Sequence, residues 1–308
     1  MNGNVKNILL YAVLLTWLAV VVVPLLWVFA NSIRSSQEIF KNPFGIPWLI
    51  VGLPYEDSDA VPAPWDAAKE NFHKAWVESH FSGFFVNSVV VTGISLLGVL
   101  VCASMAAYAI ARFPFRGNRA LFLYFISGMM IPAQLLLVPL FFQFTYMSDW
   151  LTALTRPFGY EVQLHNSLTG LVLVYVSVSL PFTILLLTGF FKSLPGTLRE
   201  AGIIDGCGEY GVFWHIMLPL SRPGLITAAI FNFLGIWNEY MFALVFVNSP
   251  EKKTLPLGLA SVSMQAQYKT DFGLLFAGLV IVIIPTLFIY FILQRRLTRG
   301  ITVGALKG

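Results

Sequence analysis

The residues that organise this sequence read Glu200-Ala201-Gly202-Ile203-Ile204-Asp205-Gly206 and, after nine more residues, Ile216-Met217-Leu218-Pro219. They form the one long polar stretch in the second half of the chain, and long apolar runs lie on both sides of it. Of all residues, 57% are hydrophobic and 11% are charged, whereas a soluble domain has about 25% charged residues. The mean hydropathy is +0.76. We therefore interpret the chain as an integral membrane protein.

Six apolar runs are long enough to cross a bilayer, which requires about 20 residues in a helix. They cover residues 8–30, 84–111, 120–147, 168–191, 224–247 and 272–293. This pattern predicts an all-α membrane protein with six transmembrane helices. The first run is too long for a signal peptide; its uniform apolarity indicates a lipid-facing helix, kinked at Pro24. Cys102 and Cys207 lie in different regions, so we expect no disulfide between them.

The domain organisation follows from these runs. Residues 1–83 hold the first helix and an extracytoplasmic loop. Residues 84–293 hold a five-helix core that includes the polar segment 192–222, and residues 294–308 form a cytoplasmic tail.

The orientation follows from the loop charges, because Lys and Arg gather on the cytoplasmic side of a membrane. If the N-terminus is cytoplasmic, the cytoplasmic side carries eleven Lys and Arg residues and three acidic residues. The other side then carries eight Lys and Arg residues and eleven acidic residues. We therefore expect both termini and the polar stretch in the cytoplasm. The basic balance indicates no nucleic-acid partner.

Several residues within the predicted helices disturb an otherwise apolar pattern. Pro132 and Pro139 predict a bend in the third helix, which we interpret as a wall of a translocation pathway that Gln134 also faces. Pro181 predicts a break in the fourth helix. Glu239 lies about 22 Å along a fifth helix that starts near residue 224, at ~1.5 Å per residue. An acid at membrane depth costs about 2.5–3.5 kcal/mol. We interpret Glu239 as facing a cavity; an acid in interfacial water near a helix end is the alternative.

The predicted outer loops differ in character. The Pro-rich and Trp-rich residues 31–83 predict a partly ordered lobe that ends in a short helix near residues 65–79. Within it, Glu70, His73, Glu78 and His80 do not offer three metal ligands on one turn, so we interpret them as solvated surface. Residues 148–166 form a polar loop, and loop 248–271 contains an apolar segment that we expect to dock on a partner.

The polar stretch itself predicts two short helices joined by a turn. Pro195 suits the first turn of one helix, and Gly206-Cys207-Gly208 ends it. The second helix runs from residue 209 to 217 and stops at Pro219, with aromatic residues that we expect on one face: Tyr210, Phe213 and Trp214. Such a shape fits a groove in another protein. An amphipathic loop on lipid headgroups is the alternative, although its polar face is usually basic and this segment carries three acids.

The pattern Glu-Ala-small, three residues, Gly, nine residues, Ile-x-Leu-Pro resembles the coupling signature of permease subunits of binding-protein-dependent ABC importers. Further matches resemble the carbohydrate branch, and within it the maltose-permease type: Asn87-Ser88, Ile131-Pro132-Ala133-Gln134, Trp237-Asn238-Glu239-Tyr240, Thr254-Leu255-Pro256-Leu257-Gly258-Leu259 and Gly304-Ala305-Leu306-Lys307-Gly308. Residues 40–70 and 148–164 are longer than the usual connections of that family.

The resemblance implies a type I ABC importer permease fold in the bacterial cytoplasmic (inner) membrane, with both termini inside. It also implies three partners: a homologous second permease, a dimer of ATP-binding subunits and an extracytoplasmic sugar-binding protein. The sequence has no Gly-Lys-Ser/Thr phosphate loop, so ATP and Mg are expected on the partner ATPases and no cofactor on this chain. The chain is then a transport subunit with no catalytic residue of its own.

The resemblance also implies roles for particular residues. The ATPase-coupling residues are Glu200, Ala201, Gly202, Asp205, Gly206, Cys207, Ile216, Leu218 and Pro219. The translocation pathway involves Gln134, Asn238 and Glu239. The binding protein contacts Thr254, Leu255, Pro256, Leu257 and Gly258, and the ATPases contact the tail residues Gly304, Ala305, Leu306, Lys307 and Gly308.

Two other classes of function compete with the importer. A secondary transporter could move protons through Glu239. An intramembrane enzyme would need a second catalytic group at membrane depth, where the sequence offers no His, Lys or Asp.

Overall fold

The computed structural model describes residues 3–45 and 64–305, and every regular element within these ranges is helical. The helices are α1 (Gly3–Ser32), α2 (Ser36–Lys41), α3 (Pro64–His73), α4 (Phe81–Arg112), α5 (Asn118–Ser127), α6 (Leu137–Thr155), α7 (Leu168–Ser193), α8 (Thr197–Ile204), α9 (Glu209–Leu220), α10 (Arg222–Trp237), α11 (Met241–Phe246), α12 (Leu255–Lys269) and α13 (Phe272–Ala305). π-Turns occur at Lys74–Glu78, directly after α3, and at Phe213–Met217, within α9.

Among the described residues, four helices are long and apolar enough to cross a membrane unbroken, namely α1, α4, α7 and α13, and two bent pairs raise the count to at most six. One bent pair joins α5 to α6 at 93°, and the other joins α9 to α10 at 73°. We assign the fifth predicted span to α10 and α11, because α9 carries the polar stretch. The all-helical, multi-span prediction is confirmed.

The third span breaks at one proline and not at two. Pro132 has no N–H to donate, and Ile131 before it is extended, with φ −89° and ψ 119°, as a residue before proline prefers. Pro139 is the third residue of α6, where the missing N–H would have had no helical partner. Only Pro132 therefore marks a break.

The fourth and fifth spans also differ from the prediction. Pro181 lies inside an unbroken α7, and a Cβ on Gly128 would lie 3.3 Å from its ring, so the ring packs against a neighbour that has no side chain. The fifth span is not one helix, because α10 ends at Trp237 and α11 begins at Met241. Glu239 therefore lies in a break and not within a helix.

The last predicted loop and the tail are largely helical. Residues 255–269 form α12, in which Pro256 occupies the tolerated first turn. α13 continues to Ala305, so Gly300 and Gly304 do not end it. Of the tail residues predicted to contact the ATPases, Gly304 and Ala305 lie at the end of this helix, and Leu306, Lys307 and Gly308 lie outside the described residues.

The chain divides into two compact units, Met1–Ser82 with Gly258–Pro285 and Gly83–Leu257 with Thr286–Gly308. In the first unit, the predicted short helix is confirmed as α3 and the π-turn that follows it. A buried arginine fixes the end of α1: Arg34 is 1% exposed and donates to Glu38 Oε1 (2.8 Å), Asn31 Oδ1 (2.9 Å) and the carbonyl of Asn42 (2.9 Å). These partners compensate for burying a charge.

The second unit contains two apolar clusters, and α7 contributes to both. Tyr175 belongs to the cluster that includes α11, and Phe191 belongs to the cluster that includes α9. α4 packs through small residues, since Ser95, Ala103 and Ala107 are fully buried. Small residues allow helix backbones to approach closely in a membrane, so this side of α4 is a packing face.

Candidate functional site

The polar stretch folds into a sharp elbow, which we define as α8 and α9 together with the turn between them. Gly206 has φ +86°, a conformation that glycine adopts without strain. Its N–H donates to the carbonyl of Ile203, and that of Cys207 donates to the carbonyl of Gly202, both at 3.0 Å. This pair of bonds is the Schellman motif that closes a helix end. The predicted helix–turn–helix is confirmed, but α8 begins at Thr197 and Pro195 lies before it.

The two arms of the elbow meet at Gly202, which is buried. A Cβ at this position would lie 2.5 Å from Ile216 Cδ1 and 3.2 Å from Val212 Cγ2. Only a residue without a side chain fits there while those neighbours keep their places. Gly202 and Ile216, both predicted as coupling residues, therefore form the joint between the arms.

An ion pair also joins the two arms of the elbow, at positions away from the contact between Gly202 and Ile216. Arg199 on α8 donates to both carboxylate oxygens of Glu209 on α9, and its guanidinium lies 5.2 Å from the Phe113 ring centroid. The hydrogen bond to Glu209 raises the pKa of Arg199 above its usual value. The sequence prediction missed this brace, for which the only signal was two opposite charges flanking a glycine-rich turn.

The elbow is fastened to the ends of two long helices. Arg112, the last residue of α4, donates to the carbonyl of Phe191 (2.5 Å) and to that of Leu194 (2.6 Å) at the end of α7. Phe213 of α9 packs on Tyr108 of α4, with ring centroids 5.1 Å apart. Phe213 also faces Phe191 of α7, with ring centroids 6.4 Å apart. The elbow therefore packs on the ends of α4 and α7, which Arg112 joins to each other.

The outward face of the elbow carries apolar groups beside acids. Ile204 is 84% exposed and Tyr210 is 80% exposed. Five predicted coupling residues are exposed too: Glu200, Ala201, Asp205, Gly206 and Cys207. Pro219 is exposed, and Ile216 and Leu218 are half-buried. The prediction of one aromatic face was wrong, because Tyr210 and Trp214 point outward whereas Phe213 is buried in the core of the second unit.

Glu239 lies in the break between α10 and α11, where its carboxylate accepts hydrogen bonds from backbone N–H groups that have no partner within the helix. Oε1 accepts from the N–H of Phe242 at 2.9 Å, and Oε2 accepts from the N–H of Ala243 at 3.2 Å. The Tyr175 hydroxyl on α7 donates to Oε2 at 2.7 Å. Glu239 therefore caps α11 and fastens it to α7. Charge-assisted bonds of this kind explain why an acid is tolerated at this depth.

A cavity of about 330 Å³ adjoins this break, and we call it the α7–α10 pocket. Gln134 and Glu239, two of the three predicted pathway residues, line it. Asn238 does not line the pocket. Its side chain donates to the carbonyl of Leu234, in the last turn of α10, at 2.9 Å. Residues that the sequence prediction did not assign to a pathway also line it: Tyr175, Ser179, Phe182, Phe231, Asn232 and Gly235.

At the other end of α4, Asn87 and Ser88 hold the segment that precedes α12. Asn87 donates to the carbonyls of Glu251 (2.8 Å) and Lys253 (2.9 Å), and the Ser88 hydroxyl accepts from the N–H of Leu255 at 2.8 Å. Of the predicted binding-protein contacts, Thr254, Leu255, Leu257 and Gly258 are buried and Pro256 is half-buried, whereas Asn248 and Glu251 nearby are exposed.

Asn166 organises the same end and was missed by the sequence prediction. It has φ +51°, which asparagine tolerates better than most residues. Its Oδ1 accepts from the N–H groups of Asn248 (3.0 Å) and Ser249 (2.9 Å), and its carbonyl accepts from Lys252 Nζ at 2.8 Å. The loop before α7 and the loop after α11 are therefore one ordered surface.

Replacing Ser88 by alanine should lower the stability of the purified protein by about 1–3 kcal/mol, because the buried Leu255 N–H loses its acceptor. Ser95 provides a matched control two turns along α4. It is equally buried, and its hydroxyl has no hydrogen-bond partner among the described residues. Thermal unfolding in detergent should therefore show a lower Tm for S88A and little change for S95A; equal losses would contradict the assignment.

Comparisons with known proteins define the class to which this fold and these sites belong. The family model described as binding-protein-dependent transport system inner membrane component matches residues 98–303. The chain belongs to this family. It is accordingly a transport permease subunit and a multi-pass component of the bacterial cytoplasmic membrane.

The chain is similar along nearly its whole length to several relatives. It is 35% identical to the diacetylchitobiose uptake system permease protein NgcG of Streptomyces coelicolor, over 96% of this chain and 88% of that protein. It is 29% identical to the trehalose transport system permease protein SugB of Mycobacterium tuberculosis, over 92% of each chain.

Solved structures support the fold. A chain of a bacterial ABC transporter involved in the import of the acidic polysaccharide alginate matches with a TM-score of 0.73 and 20% identity, over 95% of this chain and 96% of that one. A second alginate ABC transporter structure, in complex with a pentasaccharide-bound periplasmic protein, matches with a TM-score of 0.59 and 16% identity, over 95% of this chain and 96% of that one.

Proposed function

We propose that this chain is the membrane-spanning subunit of an ATP-driven importer that receives a sugar or oligosaccharide from an extracytoplasmic binding protein. The elbow is the observation that carries the proposal, because its two arms are closed on each other at Gly202 and its outer face exposes apolar groups beside acids. The relatives that transport diacetylchitobiose and trehalose support a saccharide as the cargo.

The proposed assembly contains a homologous second permease and two ATP-binding subunits that hold ATP and Mg. Both termini and the elbow face the cytoplasm, where the elbow inserts in a cleft of one ATPase. Ile204 and Tyr210 provide apolar contact there, and Glu200 and Asp205 provide charge complementarity. Residues 294–308 reach toward the ATPases. On the other side, the loop that contains Asn248 and Glu251 meets the binding protein, and it is positioned by residues 254–258, four of which are buried.

In the proposed mechanism, closure of the ATPases moves the elbow as a rigid body. Phe213 transfers that movement to α4 and α7, whose ends Arg112 joins to each other. α7 also carries Tyr175, whose hydroxyl donates to Glu239 at the break. Tyr175 lies about 24 Å from Phe191 along this helix, at ~1.5 Å per residue. The pocket beside the break therefore changes shape when the elbow moves, which is the requirement for alternating access.

Charge reversal on the elbow tests this proposal. E200K and D205K should each lower copurification of the ATPase and ATP-dependent uptake by at least about tenfold, which corresponds to about 1.4 kcal/mol of lost contact energy. D149K reverses an exposed acid near the far end of α6 and should leave both readouts unchanged. The measurements use proteoliposomes with and without ATP.

Two results would contradict the proposal. One is uptake at the wild-type rate by both elbow variants, E200K and D205K. The other is uptake driven by an imposed proton gradient without ATP, which is the behaviour of a secondary transporter acting through Glu239.

A further inference from the structure

The α7–α10 pocket contains polar groups with unused hydrogen-bonding capacity. The side chains of Gln134 and Ser179 make no hydrogen bond to any residue between 3 and 45 or between 64 and 305. Asn232 uses its amide hydrogens on Thr183 Oγ1 (2.9 Å) and the carbonyl of Ala228 (2.8 Å), so its Oδ1 is left to accept. Within the described part of the chain, Glu239 Oε1 accepts from Phe242 alone, and a carboxylate oxygen has two acceptor sites. These groups offer both donors and acceptors to one cavity.

An aromatic pair supplies the apolar part of the wall. Phe182 and Phe231 pack edge to face, with ring centroids 5.6 Å apart, and both line the pocket. A sugar ring presents hydroxyls around its edge and C–H groups on its faces, so it matches a wall that combines polar atoms with aromatic surface. The volume of about 330 Å³ lies at the lower end of small-molecule pockets, which span about 300–1,000 Å³. It suits a short part of a saccharide.

The charges of the wall restrict the ligand further. Glu239 is the one charged residue among the described residues that line the pocket, and no Lys or Arg accompanies it. A uronic acid would bring a second carboxylate close to the first, and like charges placed side by side repel each other.

We infer that the α7–α10 pocket is a saccharide subsite within this subunit that accepts an uncharged sugar ring. This inference rests on the proposed function. Sugar hydroxyls donate to Glu239 Oε1 and Asn232 Oδ1 and accept from the Gln134 amide and the Ser179 hydroxyl. The ring face lies against the Phe182–Phe231 pair.

Gly235 offers a direct way to fill the pocket. It lines the cavity, and a Cβ added to it meets no atom within 4 Å. A leucine there would begin in open space and extend its side chain into the volume proposed for the ligand. Gly189 on α7 is a matched control, because a Cβ added to it is equally unobstructed and it does not line the pocket.

The test uses the complete transporter in proteoliposomes, with its binding protein, ATP and radiolabelled trehalose or diacetylchitobiose as probes. G235L should lower uptake of the transported probe at least tenfold, and G189L should behave as wild type. Q134A and S179A truncate side chains that support no other residue, and each should raise the KM for uptake at least threefold with kcat within twofold. Recovery of each assembled complex at wild-type yield verifies folding.

A binding measurement without the binding protein tests the charge preference. Saturation-transfer NMR on the purified complex should detect the neutral disaccharide with wild type and G189L, but not with G235L. A disaccharide of uronic acids should give at least a tenfold weaker signal with wild type. Equal signals for the two disaccharides would overturn the preference for an uncharged ring.

Failure of this inference differs from failure of the proposed function. Normal uptake by wild type together with normal uptake by G235L, Q134A and S179A would overturn the subsite and leave the importer intact. No ATP-dependent uptake of either probe by wild type would overturn the proposed sugar import, and the subsite with it.

Discussion

Replacing Gly202 by leucine should abolish ATP-dependent uptake while the protein still inserts in the membrane. The new side chain would start 2.5 Å from Ile216 Cδ1 and 3.2 Å from Val212 Cγ2. Overpacking of this kind costs about 1–3 kcal/mol or more, so the two arms of the elbow would separate before the rest of the fold. Copurification of the ATPase subunit should fall by about 10–100-fold, the factor that corresponds to ~1.4–3 kcal/mol.

Two further variants separate crowding from a general loss of folding. G202A should be mild, because Ile216 Cδ1 is the end of a side chain that can change rotamer. G202A combined with I216V removes that atom and should bring uptake closer to wild type than G202A alone. Full uptake by G202L would show that the arms do not need the contact at Gly202.

Replacing Glu239 by alanine should have a comparably large effect through a different cause. The N–H groups of Phe242 and Ala243 and the Tyr175 hydroxyl would all lose their acceptor. An unpaired buried donor costs about 1–3 kcal/mol, so the variant should lose about 3 kcal/mol or more. We expect a lower Tm of the purified permease in detergent and uptake below a tenth of wild type.

Graded variants at the same site distinguish a cap from a proton carrier. Y175F removes one of the three donors and should lose about 1.5–3 kcal/mol, the range for a bond to a charged group. E239Q keeps one acceptor oxygen and should retain stability and uptake between those of wild type and E239A. If E239Q were as stable as wild type yet had no uptake at any ATP concentration, Glu239 would act through its charge in transport and not as a cap.

The elbow could be predicted from the sequence because its signals are local. Gly206 ends α8 through a left-handed conformation that glycine favours, and the polar residues interrupt long apolar runs. The spans were found for the same reason, since length and apolarity are properties of a continuous stretch. The brace between Arg199 and Glu209 was missed because it depends on the fold of the turn between them.

The break at Glu239 could not be predicted from local signals. Residues 237–241 contain neither glycine nor proline, and the helix is interrupted there because Tyr175, 64 positions away, helps to hold the carboxylate that caps α11. Conversely, Pro181 was predicted to break α7, but the helix continues and the proline ring packs against Gly128. Both outcomes depend on residues distant in sequence.

α12 was missed because its start contains residues that usually mark loops. Pro256 and Gly258 suggested an exposed connection, yet proline is tolerated in a first helical turn, and the Ser88 hydroxyl accepts from the N–H of Leu255 at that position. The residues predicted to touch a partner are therefore mostly buried in this chain, and the neighbouring loop offers the exposed groups.

The continuity of α7 has a consequence for timing. This 26-residue helix ends in the carbonyl that Arg112 holds beside the elbow, and one of its earlier turns carries the hydroxyl that holds Glu239. Although Pro181 lies between these points, α7 is unbroken, so we expect its two ends to respond in one step. Movement of the elbow and a change in the hydrogen bond to Glu239 should then occur together in the proposed importer.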